Sequence, residues 1–249
     1  MEKSLDGCNF TITHYIETLK KYKKSHKFSF YLDSSDNDII LRHDVDFSLK
    51  DAFRIAKIEN ELGICSTFFI LLHSELYNPL GIVSSKLISS MLKMGHKIGL
   101  HYDEIFFLQT KVDISEGIKK EIELLEQHFD TKIEAAVRHN PSIRGEKIPV
   151  KLPDGVVDAM SEQFTLQRKY LSDSVQFWRE RCFCNHQLNY KKFQILTHPA
   201  LWTDEQLGRT EILPRVLKNH IDFYQKQIQE NSKIWDVYIK KRLKELKKC

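Results

Sequence analysis

Two aspartates, Asp44 and Asp46, end an apolar run and could share a metal ion or a proton. Residues 39–45 are bounded by polar residues and favour a buried strand. Side chains alternate along a strand at about 3.3 Å per residue, so the two carboxylates are expected on one face, about 7 Å apart. Like charges at that distance require a cation or a shared proton. An acidic surface turn, or Asp46 capping a helix that begins near Ser48, also fits these residues.

Four histidines follow predicted strands in the same way. They are His73, His101, His139 and His198. Ligands and catalytic groups collect at the carboxyl ends of parallel strands. One strand-end histidine is more often a structural hydrogen-bonding group, but four beside two aspartates favour a divalent cation such as Zn²⁺. The sequence has no phosphate-binding glycine loop and no nucleophile elbow.

Alternating helices and strands must position these side chains. Helices are predicted over 11–24, 48–62, 84–94 and 114–129, and strands over 39–45, 67–72, 97–100, 133–137, 156–159 and 193–197. Strands alternating with helices of this length indicate parallel βαβ units. The last 35 residues predict one long helix.

The composition fits one large α/β domain. The chain has 249 residues, of which 41% are hydrophobic, with only 9 Gly and 6 Pro. It shows no apolar signal core and no run of eighteen apolar residues, so a cytoplasmic protein is expected. The cysteines are Cys8, Cys65, Cys182, Cys184 and Cys249. Because they are scattered, and the single residue between Cys182 and Cys184 does not match the usual zinc-ligand spacing, reduced thiols are expected.

The positive charge is concentrated at the C-terminal end. Residues 215–249 contain ten Lys or Arg and four Asp or Glu, against twenty-eight and thirty in the remainder. Trp235, Ile239, Leu243 and Leu246 recur there at helical spacing. A helix docked on the domain is favoured, and a helix lying on an anionic membrane is the alternative. Nucleic-acid binding is not expected, because no recognition motif accompanies the charge.

Five motifs in order resemble those of the polysaccharide deacetylases of the NodB-homology type, carbohydrate esterase family 4. They are RHDVD at 42–46, GHKIGLHYD at 95–103, HNPS at 139–142, YLSDS at 170–174 with Trp178, and LTHP at 196–199 with Trp202. The resemblance covers 39–202 and looks closest to a divergent branch found among bacterial surface-polysaccharide genes. It implies an α/β fold, a distorted (β/α) barrel with about seven strands.

The resemblance also implies a reaction, the hydrolysis of an N-acyl, usually acetyl, group from an amino sugar by a water bound to a divalent metal. Zn²⁺ is the expected metal. By position, Asp44 matches the general base, Asp46 and His101 match metal ligands, and His198 matches the histidine that protonates the leaving amine. Asp173 and Trp178 match the motif that orients this histidine and lines the pocket. The candidate substrate-binding residues are Arg138, Asp173, Trp178, His73 and Tyr102.

The chain departs from the family pattern at the metal site. The second histidine of the family's His-x-x-x-His pair would fall at Ile105. A catalytic zinc usually keeps three protein ligands, so a third must come from elsewhere. His139 is the first choice, and Asp103, Glu104 and His43 are alternatives, of which His43 faces the opposite side of a regular strand. The family's third motif carries an arginine, and Arg138 stands before His139, which leaves its action on Asp44 open.

These observations predict a helical extension over 1–38, a deacetylase-like barrel over 39–205 and a basic helix packed on the barrel over 206–249. The expected protein is a cytoplasmic N-deacetylase acting on an amino sugar in a glycan, a lipid-linked sugar or a nucleotide-linked sugar. Peripheral membrane contact through the C-terminal helix would suit a lipid-linked substrate. The alternatives are a deformylase or other amidase on the same barrel, and a silent carbohydrate-binding protein whose metal site has decayed. The sequence does not indicate the oligomeric state.

Overall fold

The computed structural model describes residues 8–140, 148–186 and 189–246. Its eight strands form one parallel sheet. They are β1 Lys27–Ser29, β2 Asp38–Val45, β3 Thr67–Ile70, β4 Lys97–Tyr102, β5 Ala135–Arg138, β6 Val157–Asp158, β7 Lys169–Ser172 and β8 Phe193–Thr197. Seven of them run in the order β6-β5-β4-β3-β2-β8-β7, and β1 pairs with the start of β2. The sheet is an incomplete, distorted (β/α) barrel, which confirms the predicted fold class.

Helices connect most of these strands. They are α1 Ile12–Lys23, α2 Leu49–Glu61, α3 Ile82–Lys93, α4 Glu104–Thr110, α5 Ile114–Phe129, α6 Glu162–Thr165 and α7 Arg209–Leu246. Thr11 caps α1 by accepting from the amide of His14, and Ser48 caps α2 by accepting from the amide of Asp51. The alternative in which Asp46 caps this helix is therefore wrong.

Most predicted elements lie close to the observed ones. The helix over 114–129 and the strand over 193–197 have the predicted bounds. The strand predicted over 67–72 ends at Ile70, and the one predicted over 133–137 begins at Ala135 and ends at Arg138. The elements β1, α4, α6 and β7 were not predicted; each has seven residues or fewer.

A cluster of apolar side chains fills the space between β2, β3 and β5. Its buried members are Tyr31, Ile40, Phe69, Ala135, Val137, Ala159 and Phe164. Gly99 in β4 leaves room for the Phe69 ring, since a Cβ atom there would lie 2.6 Å from that ring. The side of β2 that carries Ile40 therefore packs in the barrel interior, and Arg42 and Asp44 follow on the same side.

A buried polar network ties β2 to the outer helices. Glu59 of α2 is fully buried and accepts from Ser66 at 2.6 Å, and it also accepts from Tyr15 of α1. His43 lies 2.9 Å from Glu59 and 2.8 Å from the hydroxyl of Thr197 in β8. Because a carboxylate buried at this depth needs such partners, the network fixes the rotation of β2 about its axis.

The chain forms two compact units, Met1–Gly208 and Arg209–Cys249. The first contains the sheet. The second contains α7, a helix of 38 residues with Pro214 near its start. Within the described ranges, no helix combines the length and apolar character needed to cross a bilayer. The predicted domain boundaries, and the packing of the last helix on the barrel, stay predictions.

Candidate active site

Asp44 lies near the C-terminal end of β2, and Arg42 holds its carboxylate. The guanidinium donates from Nε to Oδ1 at 2.8 Å and from Nη2 to Oδ2 at 2.7 Å, and both side chains are buried. The two residues are two apart on one strand and therefore share a face. Burial by itself would favour the protonated acid, but Arg42 outweighs it and holds the pKa of the Asp44 carboxyl well below its usual range. Asp44 is therefore an ionised base at neutral pH.

Asp46, just after β2, faces His101 of β4. The Nε2 atom of His101 lies 3.1 Å from Oδ1 of Asp46 and 3.8 Å from Oδ2 of Asp44. Its Nδ1 lies 3.2 Å from the carbonyl oxygen of Val137, which can only accept, so Nδ1 carries a hydrogen. In a neutral ring, Nε2 would then point a lone pair at a carboxylate. This pairing requires either a proton or a cation between the two atoms.

Charge in the site favours the proton where no cation is bound. Burial alone would lower the pKa of His101, but the carboxylates of Asp44 and Asp46 outweigh it and raise the pKa. Burial likewise opposes ionisation of Asp46, and His101 and His198 reverse the effect and lower its pKa. The carboxylates that favour a proton on His101 would also favour a bound divalent cation.

His139, which directly follows β5, completes a group of three candidate ligands. Its amide donates to the carbonyl of Tyr102 at 2.9 Å, and its ring lies edge-on to that of His101 at 5.0 Å. Donor atoms of Asp46, His101 and His139 all lie within 4.8 Å of one another. Two imidazoles and one carboxylate form a ligand set that holds a catalytic divalent metal and leaves a position open. The structure thus brings together the three predicted ligands.

The alternatives for the third ligand make other contacts. Ile105 stands in the first turn of α4, and Asp103 caps that helix by accepting from the Ile105 amide at 3.0 Å. Glu104 pairs with Arg138. His43 points toward Glu59, on the side of β2 opposite to Asp44. Asp103 comes within 3.8 Å of His139 Nδ1, where it can orient that ring.

His198 follows β8 and is held by Asp173. Its Nδ1 lies 2.6 Å from Oδ1 of Asp173, whose carboxylate also accepts from the His198 amide at 3.0 Å and from the indole N–H of Trp202 at 2.9 Å. The Nε2 atom faces Asp46 Oδ2 at 3.6 Å. Burial alone would lower the pKa of His198, but the Asp173 carboxylate outweighs it and raises the pKa to about 9. His198 is therefore a protonated acid at neutral pH.

Arg138 and His73 pair with carboxylates of neighbouring helices. The Arg138 guanidinium lies 2.5 Å from Glu104, and the arginine that contacts Asp44 is Arg42 instead. His73 lies 2.7 Å from Glu121 of α5. The predicted contact of both residues with substrate therefore stays a prediction, and each already has a charged partner.

Trp178 and Tyr102 are buried, with 2% and 3% of their surface exposed. The Trp178 ring stacks on Phe183 at 5.2 Å and on Phe10 at 6.2 Å. Such a ring offers no face on which a sugar could stack, so the structure gives the predicted substrate contact of Trp178 no support. The side chain instead packs in an aromatic layer next to Trp202, which holds Asp173.

Two buried residues, Arg42 and Glu59, have roles that were not predicted from the sequence. Arg42 stands in the first motif, and strand alternation places it on the same face as Asp44 and Asp46, so a signal for its role was present. Glu59 lies on a helix with several other polar residues, and no sequence pattern distinguishes it as a buried side chain. Its importance depends on burial, which follows from long-range packing.

The arrangement combines an ionised carboxylate, a protonated imidazole and a candidate metal site within a few ångströms. Asp44 and His198 contact the ligand group from two sides, through His101 at 3.8 Å and through Asp46 at 3.6 Å. A base and an acid that flank a cation can remove a proton from water and donate one to a leaving group. The geometry therefore fits the hydrolysis of an acyl bond.

No protein-family model and no curated protein matches the chain. Solved structures similar to it include a family 4 carbohydrate esterase from Bacillus anthracis, with 15% identity, 88% of this chain and 90% of that chain covered, and a TM-score of 0.40. A family 4 acetyl xylan esterase from Clostridium thermocellum, in complex with a cobalt ion, has 14% identity, coverage of 76% and 84%, and a TM-score of 0.41.

A third similar structure is a CE4 family pseudoenzyme from Bacillus anthracis, with 12% identity, coverage of 76% and 60%, and a TM-score of 0.37. Identities and TM-scores this low describe a likeness and nothing more.

Proposed function

We propose that the chain is a metal-dependent hydrolase that removes an N-acyl group, acetyl in the first place, from an amino sugar. The observation that carries the proposal is the placement of a carboxylate and an imidazole, each held by its own buried partner, on two sides of one ligand group. Arg42 keeps Asp44 ionised, and Asp173 keeps His198 protonated. Amide hydrolysis needs both, because water must lose a proton and the departing nitrogen must gain one.

The residues present fit a divalent cation. His101 donates from Nδ1 to a carbonyl and so turns Nε2 toward Asp46, as in metal sites where a second hydrogen bond fixes the ligating nitrogen. Asp46, His101 and His139 would hold the ion, and mixed nitrogen and oxygen donors favour Zn²⁺. When bound, the cation supplies Lewis acidity, which lowers the pKa of a water ligand and polarises an acyl carbonyl.

The protein's own groups perform the proton transfers. Asp44 accepts the proton of the attacking water, and the two hydrogen bonds from Arg42 keep its carboxylate fixed while it does so. His198 donates from Nε2 to the amine nitrogen as the C–N bond breaks, because its Nδ1 is occupied by Asp173. Asp173 itself is held by the Trp202 indole, which keeps the imidazole oriented through the cycle.

The substrate class rests on the family resemblance. We propose that the amino sugar is part of a nucleotide-linked sugar, a lipid-linked glycan or an oligosaccharide that precedes a surface polysaccharide. A formyl group would require the same acid, base and metal. Release of acetate and formate from matched N-acyl sugars therefore distinguishes the deacetylase from the deformylase.

Asp44→Asn tests the base. The amide cannot accept the proton of water, so we expect turnover to fall by on the order of 10²- to 10⁴-fold while the bound metal stays. Acetate release and elemental analysis of the same preparation measure the two effects. Asp36→Asn, at an exposed aspartate, is the matched control and keeps full activity.

The opposite results would contradict the proposal. An active Asp44→Asn enzyme excludes Asp44 as the base. A metal content that is unchanged in Asp46→Ala and in His101→Ala excludes these ligands, and normal content in His139→Ala excludes the third. A wild-type chain that binds sugar but holds no metal and releases no acyl group is a silent binding protein.

A further inference from the structure

Three cysteines and a histidine meet on the N-terminal side of the molecule. They are Cys8, His14, Cys182 and Cys184, and one donor atom from each lies within 4.8 Å of all the others. Cys8 Sγ lies 3.4 Å from Cys184 Sγ, and His14 Nε2 lies 3.3 Å from Cys182 Sγ. This cluster shares no residue with the group formed by Asp46, His101 and His139.

The local backbone explains how these residues come together. Thr11 caps α1, which places His14 in the first turn of that helix. Cys182 and Cys184 stand in a tight turn, where the Asn185 amide donates to the Cys182 carbonyl at 3.0 Å, so the two thiols converge although one residue separates them. Residues 10–12 pair with the backbone at Thr203, which holds the chain after Cys8 in place.

The spacing of the donor atoms fits a tetrahedral ion. Zinc–sulfur bonds of about 2.3 Å and zinc–nitrogen bonds of about 2.0 Å place the donors of such a site roughly 3.5 to 3.8 Å apart. The observed pairs at 3.3 and 3.4 Å, with every pair below 4.8 Å, bracket this separation. The Cys8 and Cys184 sulfurs are not disulfide-bonded in the structure.

Hydrogen bonding alone does not account for this convergence. A thiol is a weak donor and a weak acceptor, so three of them gain little from one another. Cys182 is fully buried and the other three residues are partly exposed. An ion bound among them would be shielded from water on the Cys182 side and could enter from solvent on the other. Three cysteines and one histidine without an open position are a ligand set of a structural zinc.

We propose that Cys8, His14, Cys182 and Cys184 bind a structural Zn²⁺. The site links the N-terminal segment and α1 to the turn at 182–184, which are more than 160 residues apart in sequence. It also supports the aromatic layer behind the catalytic acid. His14 stacks on Trp202, and Phe183, between the two cysteines, packs against Trp202 at 5.9 Å.

Cobalt substitution of the full chain tests the site. The reduced protein is loaded with Co²⁺ without oxygen, and its near-ultraviolet absorption is recorded, since only thiolate ligands give a cobalt charge-transfer band. We expect the wild-type chain to show this band, and zinc analysis to find one more ion per chain in the wild type than in Cys184→Ser. Cys184→Ser loses the band and that ion.

Two controls separate this site from the proposed catalytic one. Cys65→Ser removes a thiol that lies 3.7 Å from the Phe28 carbonyl, outside the cluster, and keeps the band. Asp46→Ala keeps the band even where it abolishes turnover, so the two proposals fail independently. Chelation lowers the melting temperature of the wild type more than that of Cys184→Ser, which has only the proposed catalytic ion to lose.

Either of two results overturns the proposal. One is a wild-type chain that takes up no thiolate-bound cobalt, a result that decides the matter even if Cys184→Ser does not fold. The other is a charge-transfer band that persists unchanged in both Cys184→Ser and Cys8→Ser.

Discussion

Asp44 and His198 hold opposite charges in one site because each has its own buried partner. Arg42 donates two hydrogen bonds to Asp44, and Asp173 accepts from three groups, the amide and Nδ1 of His198 and the indole N–H of Trp202. In the proposed reaction, Arg42 and Asp173 are positioning residues, because each sets the proton state and the orientation of the residue that transfers the proton.

Asp173→Asn tests the positioning of His198. Asp173 raises the pKa of His198 to about 9, so the imidazole stays protonated, and able to donate, up to about that pH. Without the carboxylate charge, the pKa of His198 falls toward 6.5. As the pH rises, the variant therefore loses the protonated ring, and the activity that depends on it, earlier than the wild type does. We expect kcat to fall by on the order of 10²-fold or more, with the basic limb of its pH profile shifted downward.

The control is Asp204→Asn, an identical change at a side chain that is 84% exposed. It keeps both the rate and the pH profile of the wild type. A profile whose basic limb does not move in Asp173→Asn would show that His198 is not the acid, even if the rate falls.

Among the structural elements, β4 has a tight packing requirement at Gly99. Gly99 pairs with Phe69 in the parallel register of β3 and β4, and a Cβ atom there would also lie 2.9 Å from the Ala135 carbonyl of β5. Phe69 in turn lies under the guanidinium of Arg42 at 5.2 Å. The absent side chain therefore sets the spacing between β3, β4 and β5, of which β4 carries His101 and β5 leads to His139.

Gly99→Ala is expected to lower the free energy of unfolding by about 1–3 kcal/mol, the cost of overpacking a core. Urea unfolding measures it. Gly81→Ala is the matched control, since φ is −68° there and the nearest atom to a Cβ lies at 3.3 Å, so its cost stays below about 1 kcal/mol. Equal losses in the two variants would contradict the packing argument.

The elements that the sequence predicts correctly are those whose hydrophobic pattern lies within the element itself. The helix Ile114–Phe129 has apolar residues at regular helical spacing, and β8 is a compact apolar run, so both bounds were correct. The strand β7 was not predicted, because its four residues are mixed in polarity and only Leu171 is buried. It becomes a strand through pairing with β8, which no local pattern shows.

In the candidate site as well, the residues with a local sequence pattern were predicted, and those brought together only by folding were not. Asp44, Asp46 and His101 were identified from strand ends, where type and spacing are local signals. The cysteine cluster was not, because spacing along the chain gave the opposite indication for Cys182 and Cys184. Their two partners lie near the other end of the sequence, and only the folded chain brings all four side chains together.

At the scale of the whole molecule, α7 is distinguished by the apolar side chains that it exposes. They include Leu213, Leu217, Ile228, Ile234, Trp235, Val237, Tyr238 and Ile239, with exposed fractions between 46% and 68%. Basic residues accompany them toward the C-terminus, at 240, 241 and 244. Apolar and cationic side chains together are typical of helices that lie on anionic membranes.

If α7 lies on a membrane, the alternative to docking on the barrel, the chain is expected to sediment with vesicles of phosphatidylcholine and phosphatidylglycerol, and less with phosphatidylcholine alone. Each basic residue near such a surface contributes about 1 kcal/mol, so replacing Lys240, Lys241 and Lys244 by Gln lowers the partition coefficient by on the order of 10²-fold. The same change at Lys111, Lys119 and Lys120, three exposed lysines of the first unit, leaves it unaltered. Equal sedimentation of the two triple variants, or binding that does not weaken as salt rises, would contradict membrane contact through α7, because its electrostatic part depends on charge at that helix and is screened by salt.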